Sequence, residues 1–244
     1  MRNYRFTIGP DDQIDSKTIK VSGQDLLHQV TNVLRLEPGH KEELSFIDGS
    51  GKVYYTKLEN IRKNLAEFAI TDIQESQREL AQAVTFYIPI IKTENFNWML
   101  RKLVELGVQK IIPVKFARSQ KQYIEAITKQ KTRQLKIIQE ATEQCEGARF
   151  AKLSEPIDFS EIKAVAGKNY FANERLSLKE ATGDKRLAKA IGEPIALLVG
   201  PEGGLSDEEV QALEELGFEA QSLGTRLLKA ETAAIALFCK MNFI

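Results

Sequence analysis

The sequence predicts an α/β protein in which a small, mostly β segment precedes a parallel sheet covered by helices. Three observations carry that expectation. Up to about residue 72, strand-like runs alternate with turn signals; from residue 84 onward, strand-like runs alternate with helical ones; and a polar stretch, Gln74-Glu-Ser-Gln-Arg-Glu79, separates the two patterns. The expected division is therefore 1–72 and 73–244. With 244 residues, 43% of them apolar, the chain is long enough for two domains with cores of their own.

In the first segment, Ser22 and Asp25 have the spacing of a capping box, and Leu26, Leu27, Val30, Val33 and Leu34 follow at helical spacing. This predicts a helix ending near Pro38-Gly39. Glu43-Leu-Ser-Phe-Ile47 and Lys52-Val-Tyr-Tyr-Thr-Lys57 flank Asp48-Gly-Ser-Gly51, the pattern of a hairpin, and Leu65-Ala-Glu-Phe-Ala-Ile70 alternates like another strand. In the second segment, strands are expected at 84–91, 109–114, 169–172, 195–199 and 220–223. Asn95 is placed to cap a helix that buries Phe96, Met99, Leu100, Leu103 and Val104 and stops at Gly107. A longer helix over about 120–146 would put Ile124, Ile127, Leu135, Ile138, Thr142 and Cys145 on one side and its lysines and arginines on the other. The last helix, Ala233-Ala-Ile-Ala-Leu-Phe-Cys239 with Met241 and Phe243, is apolar on nearly every face and needs cover from the core or from a second subunit.

Basic and acidic residues both total 34, so overall charge does not point to a polyanionic partner. Locally the balance differs. Residues 101–136 hold ten basic and two acidic side chains, a net +8, which fits either a phosphate-binding surface or a solvated helix face. Cys145 and Cys239 are the only cysteines and His28 and His40 the only histidines, which excludes a disulfide scaffold and a Cys/His zinc site, so no metal is expected. A reducing cytosol is the expected compartment. The N-terminus lacks the apolar region of a signal peptide, and no run approaches the ~18 apolar residues of a membrane span.

Two loops could carry chemistry. The run 195–199 leads into Gly200-Pro-Glu-Gly-Gly204, and Ser206-Asp-Glu-Glu209 then opens a new helix. A loop at the carboxyl end of a parallel strand is where α/β folds place ligands, and its glycines let backbone approach them closely. It matches neither the P-loop nor the dinucleotide fingerprint, and a plain strand-to-helix turn would look the same. The second loop, Leu223-Gly-Thr-Arg-Leu-Leu-Lys-Ala-Glu-Thr232, sets Arg226 and Lys229 around Leu227 and Leu228. It could wall an adenine ring and aim a guanidinium at an anionic oxygen, or it could be two solvated charges around a core dipeptide.

These two loops, about twenty residues apart, together resemble the signature of the RsmE family within the SPOUT superfamily. Lys102-Leu-Val-Glu-Leu-Gly-Val108, Arg118-Ser119 and Gln139-Glu-Ala-Thr-Glu-Gln-Cys145 match that family in the same order, and His28 with Val33-Leu-Arg-Leu36 resembles its N-terminal domain. The chain departs from the family pattern at Ala117, Gly147 and Ala151, where the family usually has glutamate, arginine and proline.

The resemblance implies a SPOUT α/β-knot fold, with a C-terminal trefoil knot and flanked parallel sheet, preceded by a small PUA-like β-barrel that binds RNA, in a cytoplasmic homodimer. It implies methylation of N3 of one uridine, position 1498 of 16S ribosomal RNA in the small subunit, with S-adenosyl-L-methionine as cofactor. The cofactor would be held by Leu198, Val199, Gly200, Pro201, Glu202, Gly203 and Gly204 together with Leu223, Gly224, Leu227 and Leu228. Arg226, then Arg149, would stabilise charge on the uracil oxygens, with Glu202 a candidate base. RNA contacts are expected from Arg2, Arg5, Arg35, Lys92, Arg118, Ser119, Lys121, Arg133 and Gln144. Rival readings keep the scaffold but change the target, to another ribosomal or transfer RNA nucleotide, or retain RNA binding without turnover.

Overall fold

The computed structural model describes residues 4–39, 44–175 and 192–242; Arg2, Glu43 and Phe243 lie outside the described residues. The chain divides into two compact units, Met1–Glu79 with Thr142–Phe150, and Leu80–Ala141 with Ala151–Ile244.

The first unit is built on a six-stranded sheet. Its strands are β1 (Tyr4–Thr7), β2 (Gln13–Ile14), β3 (Thr18–Val21), β4 (Leu44–Ile47), β5 (Lys52–Arg62) and β6 (Leu65–Glu75), in the order β1-β4-β5-β6-β3-β2. All neighbours are antiparallel except β1 and β4. The expected hairpin forms: Asp48 accepts from the Ser50 N–H at 2.9 Å and from the Tyr54 hydroxyl at 2.9 Å, which fixes the turn into β5. Phe46 packs between Phe6 and Phe68, at ring-centroid distances of 5.3 and 4.8 Å, and all three are buried.

The helix after β3 is shorter than its spacing predicts: α1 (Gln24–His28) runs into a π-helical turn, Gln29–Val33. The expected Ser22–Asp25 capping box is absent, and Gly23 is the N-cap. Asp12 takes that part from a distance, accepting from Ser22 N–H at 2.9 Å and Gly23 N–H at 3.0 Å. Arg5 ties residues 142–150 into this unit. Its guanidinium donates to the carbonyls of Glu146 and of Gly147, beyond the end of a helix, where unpaired carbonyls attract a cation. Burial lowers its pKa, partly offset by Glu146.

The second unit contains a wholly parallel seven-stranded sheet. Its strands are β7 (Val84–Pro89), β8 (Lys110–Lys115), β9 (Lys152–Leu153), β10 (Ile157–Asp158), β11 (Lys168–Ala172), β12 (Ile195–Leu198) and β13 (Glu219–Gln221). The order is β10-β8-β7-β12-β11-β13, with β9 also on β8. The central strands β7, β8 and β12 read as nearly continuous apolar runs because both faces are covered. One face packs on Phe116, Leu205, Leu213 and Phe218. α2 (Thr93–Glu105) contributes Phe96, Met99, Leu100, Leu103 and Val104, all buried as its spacing predicts, and packs against α6 (Ala230–Asn242).

Lys92, not Asn95, is the N-cap of α2, so Asn95 lies within its first turn. The helix expected over 120–146 is two: α3 (Lys121–Thr128) and α4 (Lys131–Gln144). At the junction Gln130 N–H bonds to the Ile127 carbonyl three residues back, and the buried Gln134 amide donates to that same carbonyl at 3.1 Å. The tighter turn resets the helical phase. Ile137, Ile138, Ala141 and Thr142 turn inward and Leu135, expected inside, is 48% exposed. α5 (Asp207–Glu215) begins at Ser206 with a complete capping box to Glu209. In α6 the buried face is Ala230, Ala234, Leu237, Phe238 and Met241.

Candidate functional site

β12, β11 and β13 are neighbours in the sheet and parallel, so their carboxyl ends open side by side. A cavity of about 530 Å³ lies there, within the ~300–1,000 Å³ of small-ligand sites. Val199, Gly200, Pro201, Glu202, Gly203 and Gly204, following β12, form one wall. Leu223, Gly224, Arg226, Leu227, Leu228 and Lys229, following β13, form a second. Ala172, Asn173 and Glu174 at the end of β11 lie between them, and Asn95 of α2 with Ala230 and Ala233 of α6 complete the lining.

Local chemistry sets each wall. Gly204 closes a turn onto the Pro201 carbonyl at 2.8 Å with φ +70°, and a Cβ there would stand 2.4 Å from Glu174 Oε1. The positive φ favours glycine, and a Cβ would in addition push aside the Glu174 carboxylate, the mobile end of its side chain. The loop is also braced from outside. Arg118 donates to the Gly203 carbonyl at 2.7 Å and to the Leu205 carbonyl at 3.2 Å. Arg175 donates to the Leu205 carbonyl at 3.2 Å and pairs with Asp207. Glu209, 6% exposed, accepts from Ser206 N–H at 2.9 Å through one oxygen and from Ala117 N–H at 2.8 Å through the other. That carboxylate joins the β8–α3 loop to the start of α5. The second wall is pinned at its base, where Lys240 of α6 donates to the Ser222 carbonyl at 3.0 Å.

Chemically, the cavity combines apolar side chains, open glycine backbone, two carboxylates (Glu174 and Glu202) and two cations (Arg226 and Lys229). Leu227 is 84% exposed within it, although a leucine gains about 1.5–3 kcal/mol when covered. Among the described residues, no group of three or more His, Cys, Asp or Glu is placed to hold a metal ion.

Of the cofactor residues expected from sequence, the cavity brings together all but Leu198. That side chain is 0% exposed, packed in the core with Phe171 and Leu213, because it is the last residue of a strand covered on both faces. Arg226 and Glu202 line the cavity, while Arg149 belongs to the first unit, where its N–H donates to Glu79 at 3.1 Å.

The expected RNA contacts divide in the same way. Arg5 and Arg118 have their guanidinium groups engaged by backbone carbonyls of the protein itself. Ser119 accepts from the Phe116 N–H at 3.0 Å. Lys92 is exposed and pairs with Glu94 at 3.0 Å, which raises its pKa. Arg35 (φ +50°), Lys121, Arg133 and Gln144 are exposed.

Asn173, Glu174 and Glu209 were not singled out from sequence. A signal existed for the first two, because they directly follow an expected parallel strand. Glu209 was visible only as a helix cap, since its second partner is 92 residues away in sequence.

An RNA methyltransferase domain model matches residues 78–242. The chain is 28% identical over 242 residues to ribosomal RNA small subunit methyltransferase E of Synechocystis, covering 98% of this chain and 77% of that relative. It is 30% identical over 166 residues to the protein of the same name from Mesomycoplasma hyopneumoniae, covering 68% of this chain and 72% of the relative. Among solved structures, that of ribosomal RNA small subunit methyltransferase E from Neisseria gonorrhoeae bound to S-adenosyl methionine superposes with a TM-score of 0.81 at 26% identity, covering 98% of this chain and 97% of the other.

Proposed function

We propose, proceeding from the fact that this chain belongs to the ribosomal RNA small subunit methyltransferase E family, that it methylates N3 of a single uridine, position 1498, in small-subunit ribosomal RNA, with S-adenosylmethionine as donor. The observation that carries the proposal is the cavity at the ends of β11, β12 and β13, with its uncovered Leu227 wall.

The residues present fit that cofactor. Leu223, Leu227 and Leu228 supply an apolar surface for an adenine ring, and the Gly200–Gly204 backbone supplies close-approach donors and acceptors. Glu174 and Glu202 supply carboxylates for ribose hydroxyls and an ammonium group. S-adenosylmethionine, when bound, supplies a methyl group already activated by its sulfonium. The protein's part is then to position the uracil and stabilise the charge that N3 deprotonation leaves on the carbonyl oxygens. Arg226, at the cavity wall, is assigned that stabilising role, and Glu202 is the candidate proton acceptor.

The same reading assigns 1–72 to a PUA-like RNA-binding domain and 73–244 to the methyltransferase domain, with its trefoil knot. It also includes a homodimer, a cytoplasmic setting, and RNA contacts from Arg35, Lys92, Lys121, Arg133 and Gln144. Among the described residues, no helix is long and apolar enough to cross a membrane.

The test is incubation with labelled S-adenosylmethionine and unmethylated small ribosomal subunits, followed by mapping of the modified base. Label on uridine N3 is expected; label on a ribose refutes the assignment. Arg226→Ala should lower the rate at saturating RNA, and an unchanged rate removes the role given to Arg226.

A further inference from the structure

A second cavity, of about 690 Å³, runs between α2 and α4 and shares none of its lining with the cofactor site. Four cations (Arg101, Lys102, Arg133 and Lys136) border it against two carboxylates, Glu94 and Glu140. Some of that charge is matched within the protein: Lys102 pairs with Glu105 at 2.8 Å, Arg101 approaches Glu140 at 4.0 Å, and Lys92 pairs with Glu94. Arg133 has no ion pair or side-chain hydrogen bond among the described residues.

Two neighbours on α2 make this more than a charged surface. Trp98 is 45% exposed and lines the groove, an unusual place for so large an aromatic side chain unless something covers it. Asn97, beside it, is 8% exposed and also lines the groove, yet its Oδ1 is buried with no hydrogen-bond partner. Buried acceptors of this kind normally have one.

We propose that this groove binds an unpaired nucleotide of the substrate RNA, its base stacked on Trp98 and its phosphate held by Arg133. The indole supplies the π-face, Asn97 a polar side chain at the groove wall, and the guanidinium of Arg133 is open to a phosphate. This combination of stacking surface, polar edge and cation is how unpaired nucleotides are held. A second copy of this chain fits less well, because a two-fold contact across the groove would set its cations against themselves. The inference rests on the RNA methyltransferase reading and adds to it a base-binding subsite away from the cofactor.

Trp98 is the only tryptophan in the chain, so its fluorescence reports on this groove alone. Titration with a short oligoadenylate should quench it, whereas an abasic oligonucleotide of equal length or inorganic phosphate should not. Trp98→Ala should weaken binding of unmethylated small-subunit RNA roughly 5- to 150-fold, the range for loss of one base–aromatic stack. Trp98→Phe should restore most of that affinity, and neither variant should alter calorimetric binding of S-adenosylmethionine. Unchanged RNA affinity in Trp98→Ala, with cofactor binding intact, overturns the subsite and leaves the methyltransferase reading standing. Equal quenching by the abasic strand overturns base stacking. A change in sedimentation mass without a change in RNA affinity shows the groove to be a subunit contact and also overturns the proposal. Failure of the wild-type protein to bind S-adenosylmethionine would instead count against the underlying reading.

Discussion

Replacing Glu209 with alanine tests whether the cofactor loop is held by a single buried carboxylate. Two hydrogen bonds to a charged acceptor are lost, those from Ser206 N–H at 2.9 Å and Ala117 N–H at 2.8 Å. Each such bond contributes about 1.5–3 kcal/mol in general. Ala117 is exposed, so water reaches its N–H once the carboxylate is gone, which argues for the low end of that range. The expected destabilisation is therefore about 3 kcal/mol in total, or roughly 6–12 °C in melting temperature for a chain of this size. The control is Ser206→Ala, which removes the helix cap but leaves the bond to Ala117 and should cost about 1 kcal/mol. Calorimetric melting of both variants, with S-adenosylmethionine titrations alongside, separates the two struts. If Glu209→Ala melts within about a degree of Ser206→Ala, the bond across to the β8–α3 loop contributes nothing and the reasoning fails.

Other expectations follow from the same geometry. Arg118→Ala removes donors to the Gly203 and Leu205 carbonyls and should weaken S-adenosylmethionine binding about 5- to 30-fold by calorimetry; loss of RNA affinity alone would show Arg118 to be an RNA contact instead. Gly204→Ala, which displaces the Glu174 carboxylate at the cavity wall, should weaken S-adenosylmethionine binding in calorimetry, whereas Gly217→Ala, with φ +84° but open space around it, should lower stability by about 1–2 kcal/mol and leave cofactor affinity intact. Burial and the hydrogen bond to Asp48 push the Tyr54 pKa up to about 12. A folded pKa above the ordinary value of 10.0 means that this stabilisation is complete below pH 10.0 and is lost as pH rises toward about 12. Tyr54→Phe should remove that alkaline loss in melting profiles. At the acid end, burial pushes Asp48 up, but hydrogen bonds from Ser50 and Tyr54 outweigh it and its pKa is lowered. Its contribution is therefore present above the ordinary carboxylate range and lost as pH falls through it.

Features written in contiguous residues were legible in the sequence. The Asp48–Gly51 turn, the buried stripe of α2 with its Gly107 stop and the Ser206–Glu209 cap all have near-neighbour causes, and all form. What could not be read depended on partners distant in the chain. Asp12 displaced the local Ser22–Asp25 cap, and the break between α3 and α4 carries no glycine or proline, only a buried glutamine that reaches back to the Ile127 carbonyl. In the site, the glycine loops were found by their composition. Leu198 adjoins them in sequence, but it ends a strand covered on both faces, so its side chain is packed in the core. Arg118 illustrates the opposite limit. An arginine in a basic run suggests an external anion, and nothing local reveals that backbone carbonyls 85 and 87 residues onward would engage it.

The three strands that open the cofactor cavity are β11, β12 and β13, and the loop after β13 is pinned by Lys240. During synthesis, the first unit's sheet and the β7–β8 pair are complete in sequence long before that point, and nascent domains generally fold from the N-terminal side. The cavity at the ends of these strands is therefore incomplete until residues close to Lys240 have emerged. Truncation or stalled translation upstream of α6 would leave a protein with its six-stranded sheet present and its cofactor cavity unformed. The last helix to be made is thus the one that closes the site, so the order of synthesis and the order of assembly of the cavity coincide.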